Sequence, residues 1–75
     1  VVRSFLEERT QRVRGCSLSL AMLHEDFLVW SKRNAEKPLS NKALGKEIES
    51  LGYVKIPGRK GKLIQDIAFS NMLED

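Results

Sequence analysis

The sequence predicts a mainly α fold closed by a small β-hairpin, and three observations predict it. Apolar residues recur at helical spacing in two segments, Val2 to Val13 and Leu20 to Trp30. A third segment, Ser40 to Leu51, opens on a capping serine behind Pro38 and stops at Gly52. Two stretches, Tyr53 to Ile56 and Lys62 to Ile67, then alternate around Pro57-Gly58-Arg59-Lys60-Gly61. A capped helix short enough to enter a groove, followed by a basic β-ribbon, is the pattern of a winged helix-turn-helix, three helices plus a wing.

Each element has its own justification. Helix 1 is expected over 1–14: Val2, Phe5, Leu6 and Val13 share a face, Gly15 ends it, and Arg12 and Arg14 suit the negative end of its dipole. Cys16-Ser17-Leu18 is short, an edge strand or an extended link. Helix 2 is expected over 19–34, with Leu20, Leu23, Phe27 and Trp30 inward, a serine cap at its start and Asn34 at its end. Trp30 reads as core.

Pro38 disfavours helix at Lys37 and separates the two helices. The recognition helix is expected over 40–51, with Leu44, Ile48 and Leu51 inward and Leu39 as a staple before the Ser40 cap. Asn41, Lys42, Gly45, Lys46 and Glu49 fall on its other face. Gly45 costs about 1 kcal/mol against alanine inside a helix, which suits close approach by a neighbouring helix or by a phosphate backbone. The wing hairpin is expected over 53–67, with a flexible charged tip, and 68–75 as an acidic tail in which Phe69, Met72 and Leu73 can pack as a short terminal segment.

Seventy-five residues make a single domain, 1–75, at 41% hydrophobic and 31% charged, an ordinary globular composition. A chain of this size buries only about 60% of its unfolded surface, so its core is small. No apolar run approaches the roughly 20 residues of a membrane span, and no leader pattern opens the chain, so neither a membrane partner nor export is expected and a cytoplasmic setting is. Val1 in place of a start methionine makes a piece of a longer protein the expectation.

The net charge of +3 is unevenly spread. Residues 37–62 hold seven Lys or Arg against Glu47 and Glu49, whereas 63–75 hold three acids and no base. Cation concentrated on one supersecondary unit signals a polyanion partner more strongly than total charge does.

The lone Cys16 excludes an intrachain disulfide and reads as a small, partly buried apolar residue. One Cys and one His cannot supply a zinc site, so no metal is expected. Gly58-Arg59-Lys60-Gly61-Lys62 lacks the spacing and the hydroxyl residue of a phosphate-binding P-loop, so no nucleotide cofactor is expected. Glu7, Glu8, Glu25 and Asp26 read as solvated charges on helix surfaces, and His24 as a surface or packing residue. An enzyme site within this domain is therefore not expected.

Binding chemistry is better supplied. The expected DNA contacts are Ser40, Asn41, Lys42 and Lys46 on the recognition helix and Lys55, Arg59, Lys60 and Lys62 on the wing. Ser40 and the free amides beside it suit a phosphate, and Asn41 suits either an adenine edge or the backbone. Many cations beside few base-reading groups predict electrostatic, weakly sequence-specific affinity.

In order, Leu23 through Phe27 and Trp30, the turn Lys37-Pro38-Leu39-Ser40, Leu44-Gly45, Leu51-Gly52-Tyr53 and Gly58-Arg59 resemble the C-terminal domain of phage and plasmid primase-helicases of the poxvirus type. The likeness spans about residues 1 to 68; His24 stands where that family commonly has an aromatic, and the acidic tail has no counterpart in the pattern. The resemblance implies a winged-helix module joined to a superfamily-3 helicase motor. Its partners would be origin, template or forked DNA and the parent helicase domain, with the ATPase and primase sites lying upstream. Two other readings keep the same fold: a protein-interaction module within a replication complex, and a transcriptional regulator reading one operator.

Overall fold

A computed structural model of the chain describes residues 2–59 and 61–70. The order of elements is α1 (Val2–Arg9), β1 (Thr10–Ser19), α2 (Leu20–Arg33), α3 (Asn41–Ser50), β2 (Lys55–Gly58) and β3 (Gly61–Phe69). The three strands form one antiparallel sheet in the order β1-β3-β2. Three helices pack with this sheet around a single hydrophobic cluster.

The second and third helices follow their sequence signals closely. Ser19 caps α2 by accepting from the Met22 amide at 3.1 Å, and Ser40 caps α3 by accepting from the Ala43 amide at 3.2 Å. Asn34 closes α2, its side-chain amide donating to the Trp30 carbonyl at 2.8 Å. Leu20, Leu23, Phe27 and Trp30 are buried as their spacing requires, as are Leu44 and Ile48 on α3. Leu39, Leu51 and Tyr53 pack on the edge of the same core. Gly45 is buried, and a Cβ there would stand 3.0 Å from Leu20 Cδ2, so the absent side chain admits a neighbouring helix. Gly52 stops α3 with φ +98°, in the left-handed region that glycine enters without strain.

Helix 1 is shorter than the sequence implies: it ends at Arg9, and residues 10–14 belong to β1. Beyond Leu6 the helical face would have to run through Thr10, and the Thr10 hydroxyl instead donates to the Leu6 carbonyl at 2.6 Å, occupying a free acceptor of the last turn. The central strand, β3, needs a partner on its second edge, and Thr10 to Ser19 supplies it. The fold is thus less helical than expected, and the edge strand allowed for Cys16-Ser17-Leu18 extends over Thr10–Ser19 as the third strand of the sheet.

β1 is an edge strand, and its pairing is interrupted. Arg12 pairs with Ile67 and Ser17 with Gln65, which leaves 13–16 opposite Asp66 alone. Gly15 (φ +87°) and Asp66 (φ +57°) absorb the mismatch, and the Gly15 amide donates to Asp66 Oδ1 at 3.1 Å. Gly15 therefore shapes a bulge and is not a helix stop. Cys16 lies on this bulge and is exposed, contrary to the partial burial expected of it.

The hairpin is tighter at its tip than expected, and its strands run over Lys55–Gly58 and Gly61–Phe69 where 53–67 is expected. Pro57 and Gly58 belong to β2, Gly58 pairs with Gly61, and only positions 59 and 60 separate the strands. A Cβ on Gly58 would come within 2.8 Å of the Gly61 carbonyl oxygen, so this glycine permits close strand approach rather than flexibility. Ala68 and Phe69, assigned by sequence to an acidic tail, are buried in β3 opposite Gln11 and Thr10. Met72 and Leu73 lie outside the described residues.

The core centres on three aromatics. The Phe5 and Phe27 rings meet edge to face at 5.2 Å, Phe5 and Trp30 at 5.7 Å, and Phe27 stacks on Trp30 at 6.0 Å. Two polar links brace this cluster. Trp30 Nε1 donates to Glu8 at 2.9 Å, and Arg9 forks onto both oxygens of Asp26 at 2.9 and 3.1 Å. Glu8 and Asp26 are therefore engaged by the fold and are not free solvated charges. The hydrogen bond to Asp26, with that carboxylate's charge, raises the Arg9 guanidinium above its ordinary range.

Candidate nucleic-acid interface

The basic residues singled out in the sequence lie on α3 and the β2–β3 hairpin, and the fold sorts them into two groups. Lys42 and Lys46 are exposed, one turn apart on α3. Arg59 is exposed at the hairpin tip and Lys62 is exposed on β3, one residue beyond the Gly58–Gly61 pair. None of these four makes an ion pair among the described residues. Lys60 lies outside the described residues.

Lys55 differs. It is half-buried, its Nζ 3.0 Å from Glu49 Oε1, and it lies against α3 at 3.7 Å from where a Gly45 Cβ would be. Its charge is spent tying β2 to α3, so it orients the hairpin on the helix.

Ser40 and Asn41 begin α3 and are exposed. The Ser40 hydroxyl oxygen is occupied by the Ala43 amide. The approach to α3 is fixed from behind: the Leu39 carbonyl lies 2.9 Å from His24 Nε2, which holds the turn between α2 and α3 onto α2. His24 is thereby a packing residue.

A groove of about 480 Å³ runs between the hairpin and the helix starts. Asn41 from α3, the cap residue Ser19 and Ala21 at the start of α2, and Arg59, Lys62 and Leu63 from the hairpin border it. It joins three of the sequence-predicted contact residues on one surface: Asn41 at the start of α3, and Arg59 and Lys62 of the hairpin. Sequence reasoning missed the contribution from the start of α2. The Ser19 cap was legible, but only the packing of α2 beside the hairpin turns it toward this groove.

At the far end of α3 a second cleft, of about 290 Å³, lies among Arg3, Glu7, Arg12, Leu51 and Tyr53. Arg12 stacks on Tyr53, its Cζ 4.0 Å from the ring centroid. This contact ties β1 to the link between α3 and β2. The sequence offered no signal for it, since Arg12 and Tyr53 are 41 positions apart.

Among the described residues no three His, Cys, Asp or Glu gather to hold a metal ion, and no helix is long and apolar enough to cross a membrane. No protein-family model matches the chain, and no curated protein matches it.

Proposed function

We propose that this chain is a winged-helix module that binds DNA through α3 and the β2–β3 hairpin, as part of a primase-helicase replicating a mobile element. One observation carries the DNA reading. Asn41 at the start of α3 and Arg59 and Lys62 of the hairpin border a single groove, so helix and hairpin can engage one ligand together. The succession helix, strand, helix, helix, hairpin, with β3 between β1 and β2, supports the winged-helix assignment. The ordered residues shared with the primase-helicase C-terminal domain support the replication role.

In this reading α3, ten residues and about 15 Å long, lies in the major groove. Lys42 and Lys46 meet phosphates along it, and Arg59 and Lys62 hold the neighbouring backbone. Asn41 is the sole amide side chain on α3 able to read a base edge, so discrimination between sequences is weak.

Fluorescence anisotropy with a duplex, a single strand and a fork, across a salt series, tests this. Four phosphate contacts give a log–log salt slope of about −3.6 on duplex. The Lys42→Ala/Lys46→Ala and Arg59→Ala/Lys62→Ala variants each remove about half of it. A preference for the fork supports the replication role. Absence of binding at low salt by the folded domain sinks the DNA reading.

A further inference from the structure

The outward face of α2 is more apolar than a solvent-facing helix requires. Among the described residues four large hydrophobics are exposed, and three of them stand on this one helix: Met22 at 45%, Leu28 at 41% and Val29 at 54%. At about 100° per residue, the buried positions Leu20, Leu23, Phe27 and Trp30 centre on the side opposite Glu25, Val29 and Lys32. The surface continues onto the sheet, where Met22, Val29 and the edge of Phe69 line a shallow depression of about 260 Å³ together with Glu25 and Asp26. A patch of this kind marks an interaction surface. It carries one exposed carboxylate, Glu25, and two exposed cations, Lys32 and Arg33, so it lacks the cation excess that suits nucleic acid.

The charges on this face are arranged to complement themselves. Glu25 stands as many residues before the midpoint between Leu28 and Val29 as Lys32 stands after it. A second copy of α2 laid antiparallel across this midpoint sets Leu28 beside the partner's Leu28 on one flank of the seam and Val29 beside the partner's Val29 on the other. It also sets Glu25 against the partner's Lys32, twice over by symmetry, which is the self-complementarity a two-fold interface requires. Asp26 is already held by Arg9, and neither Glu25 nor Lys32 makes an ion pair among the described residues, so both are free for this contact. We propose that the α2 face is a homodimer interface, in which two copies of this domain pair antiparallel through Leu28 and Val29 with flanking Glu25–Lys32 ion pairs.

This proposal is independent of the nucleic-acid reading. A contact built on one 14-residue helix per subunit, about 21 Å long, is small for a stable dimer, so association lies in the micromolar to millimolar range.

Sedimentation velocity of the 75-residue chain from about 10 μM to about 1 mM tests it. The wild type is expected to move from monomer to dimer over this range. Val29→Glu and Glu25→Lys, both at exposed positions, are each expected to weaken association about tenfold or more by placing like or unpaired charges in the contact. The swap Glu25→Lys/Lys32→Glu is expected to restore it, a result that loss of fold cannot mimic. A chain that stays monomeric throughout overturns the proposal and assigns this face to some other occupant. So does a dimer that Val29→Glu and Glu25→Lys leave intact, or one that the swap fails to rescue.

Discussion

The half of the molecule built from α1 and α2 and the half built from α3 and the hairpin treat charge in opposite ways. In the first, the charges beside the aromatic core, of both signs, have partners inside the fold: Arg9 with Asp26, Glu8 with Trp30. They surround an aromatic cluster whose members Phe5 and Phe27 are wholly buried. In the second, Lys55 alone among the basic residues is paired within the described residues, while Lys42, Lys46, Arg59 and Lys62 stand exposed and unpaired. Paired charge belongs to architecture, and spare charge of one sign, gathered on two adjoining elements, is what the proposed DNA binding would use.

The strongest way to break the first half is to remove its centre. Phe27→Ala deletes a wholly buried ring that packs on Phe5 and Trp30. Large-to-small core changes of this kind cost about 3–5 kcal/mol, a large share of the total stability of a domain this small. Thermal melting followed by circular dichroism should show an unfolded or barely folded chain. A loss below about 1 kcal/mol would mean that the aromatic cluster is not the centre of the core.

The second half should break in the opposite sense, losing binding while keeping its fold. Lys42→Ala/Lys46→Ala and Arg59→Ala/Lys62→Ala change exposed side chains without partners, so each pair should shift stability by no more than about 0.5 kcal/mol per site. Each pair should nonetheless flatten the salt dependence of duplex binding by about 1.8. Two variants with wild-type melting and reduced slopes would confirm that this charge is spare. Variants that melt early would return these lysines to the architecture.

A milder change sharpens the comparison inside the first half. Asp26→Asn removes the charge that Arg9 grips from both sides, yet the Arg9 side chain is 38% exposed, and exposed pairs contribute only about 0.2–1 kcal/mol. The expected result is a small drop in melting temperature relative to the wild type, a difference that high salt diminishes. A salt-independent loss of several kcal/mol would show that Asp26 supports packing rather than charge.

Much of this division was legible in the residues. Ser19, Asn34 and Ser40 announce the limits of α2 and α3 through local capping chemistry, and the inward stripe of α2 follows from spacing alone. The excess of cations on 37–62 is likewise a local property. What was illegible depends on partners distant in the chain. β1 carries few apolar residues and a glycine, and it is a strand because β3 needs an edge partner and because Asp66 accepts the bulge at Gly15. Glu8 and Asp26 look solvated until α1 is laid beside α2. The apolar outer face of α2 is hidden in the sequence for a different reason: an inward stripe accounts for a helix so well that Met22, Leu28 and Val29 pass as ordinary surface residues.

The smallest expected effect concerns Lys55, the one paired cation of the second half among the described residues. By charge and by position on the hairpin it is grouped with the DNA contacts, whereas by geometry it is a strut, its ammonium held at 3.0 Å from Glu49. The two assignments separate in one experiment. As a strut, Lys55→Ala should cost less than about 1 kcal/mol of stability, because the pair is partly exposed. It should also leave the salt slope unchanged, because no phosphate contact is lost. Glu49→Gln should then behave the same way in melting, and should tighten binding slightly by removing a negative charge beside the groove-facing elements. If Lys55→Ala instead lowers the slope by about 0.9, the value for one phosphate, the ammonium leaves Glu49 when DNA arrives. The ion pair would then be a latch that the ligand opens, and spare charge would extend one residue deeper into the fold than the unbound geometry places it.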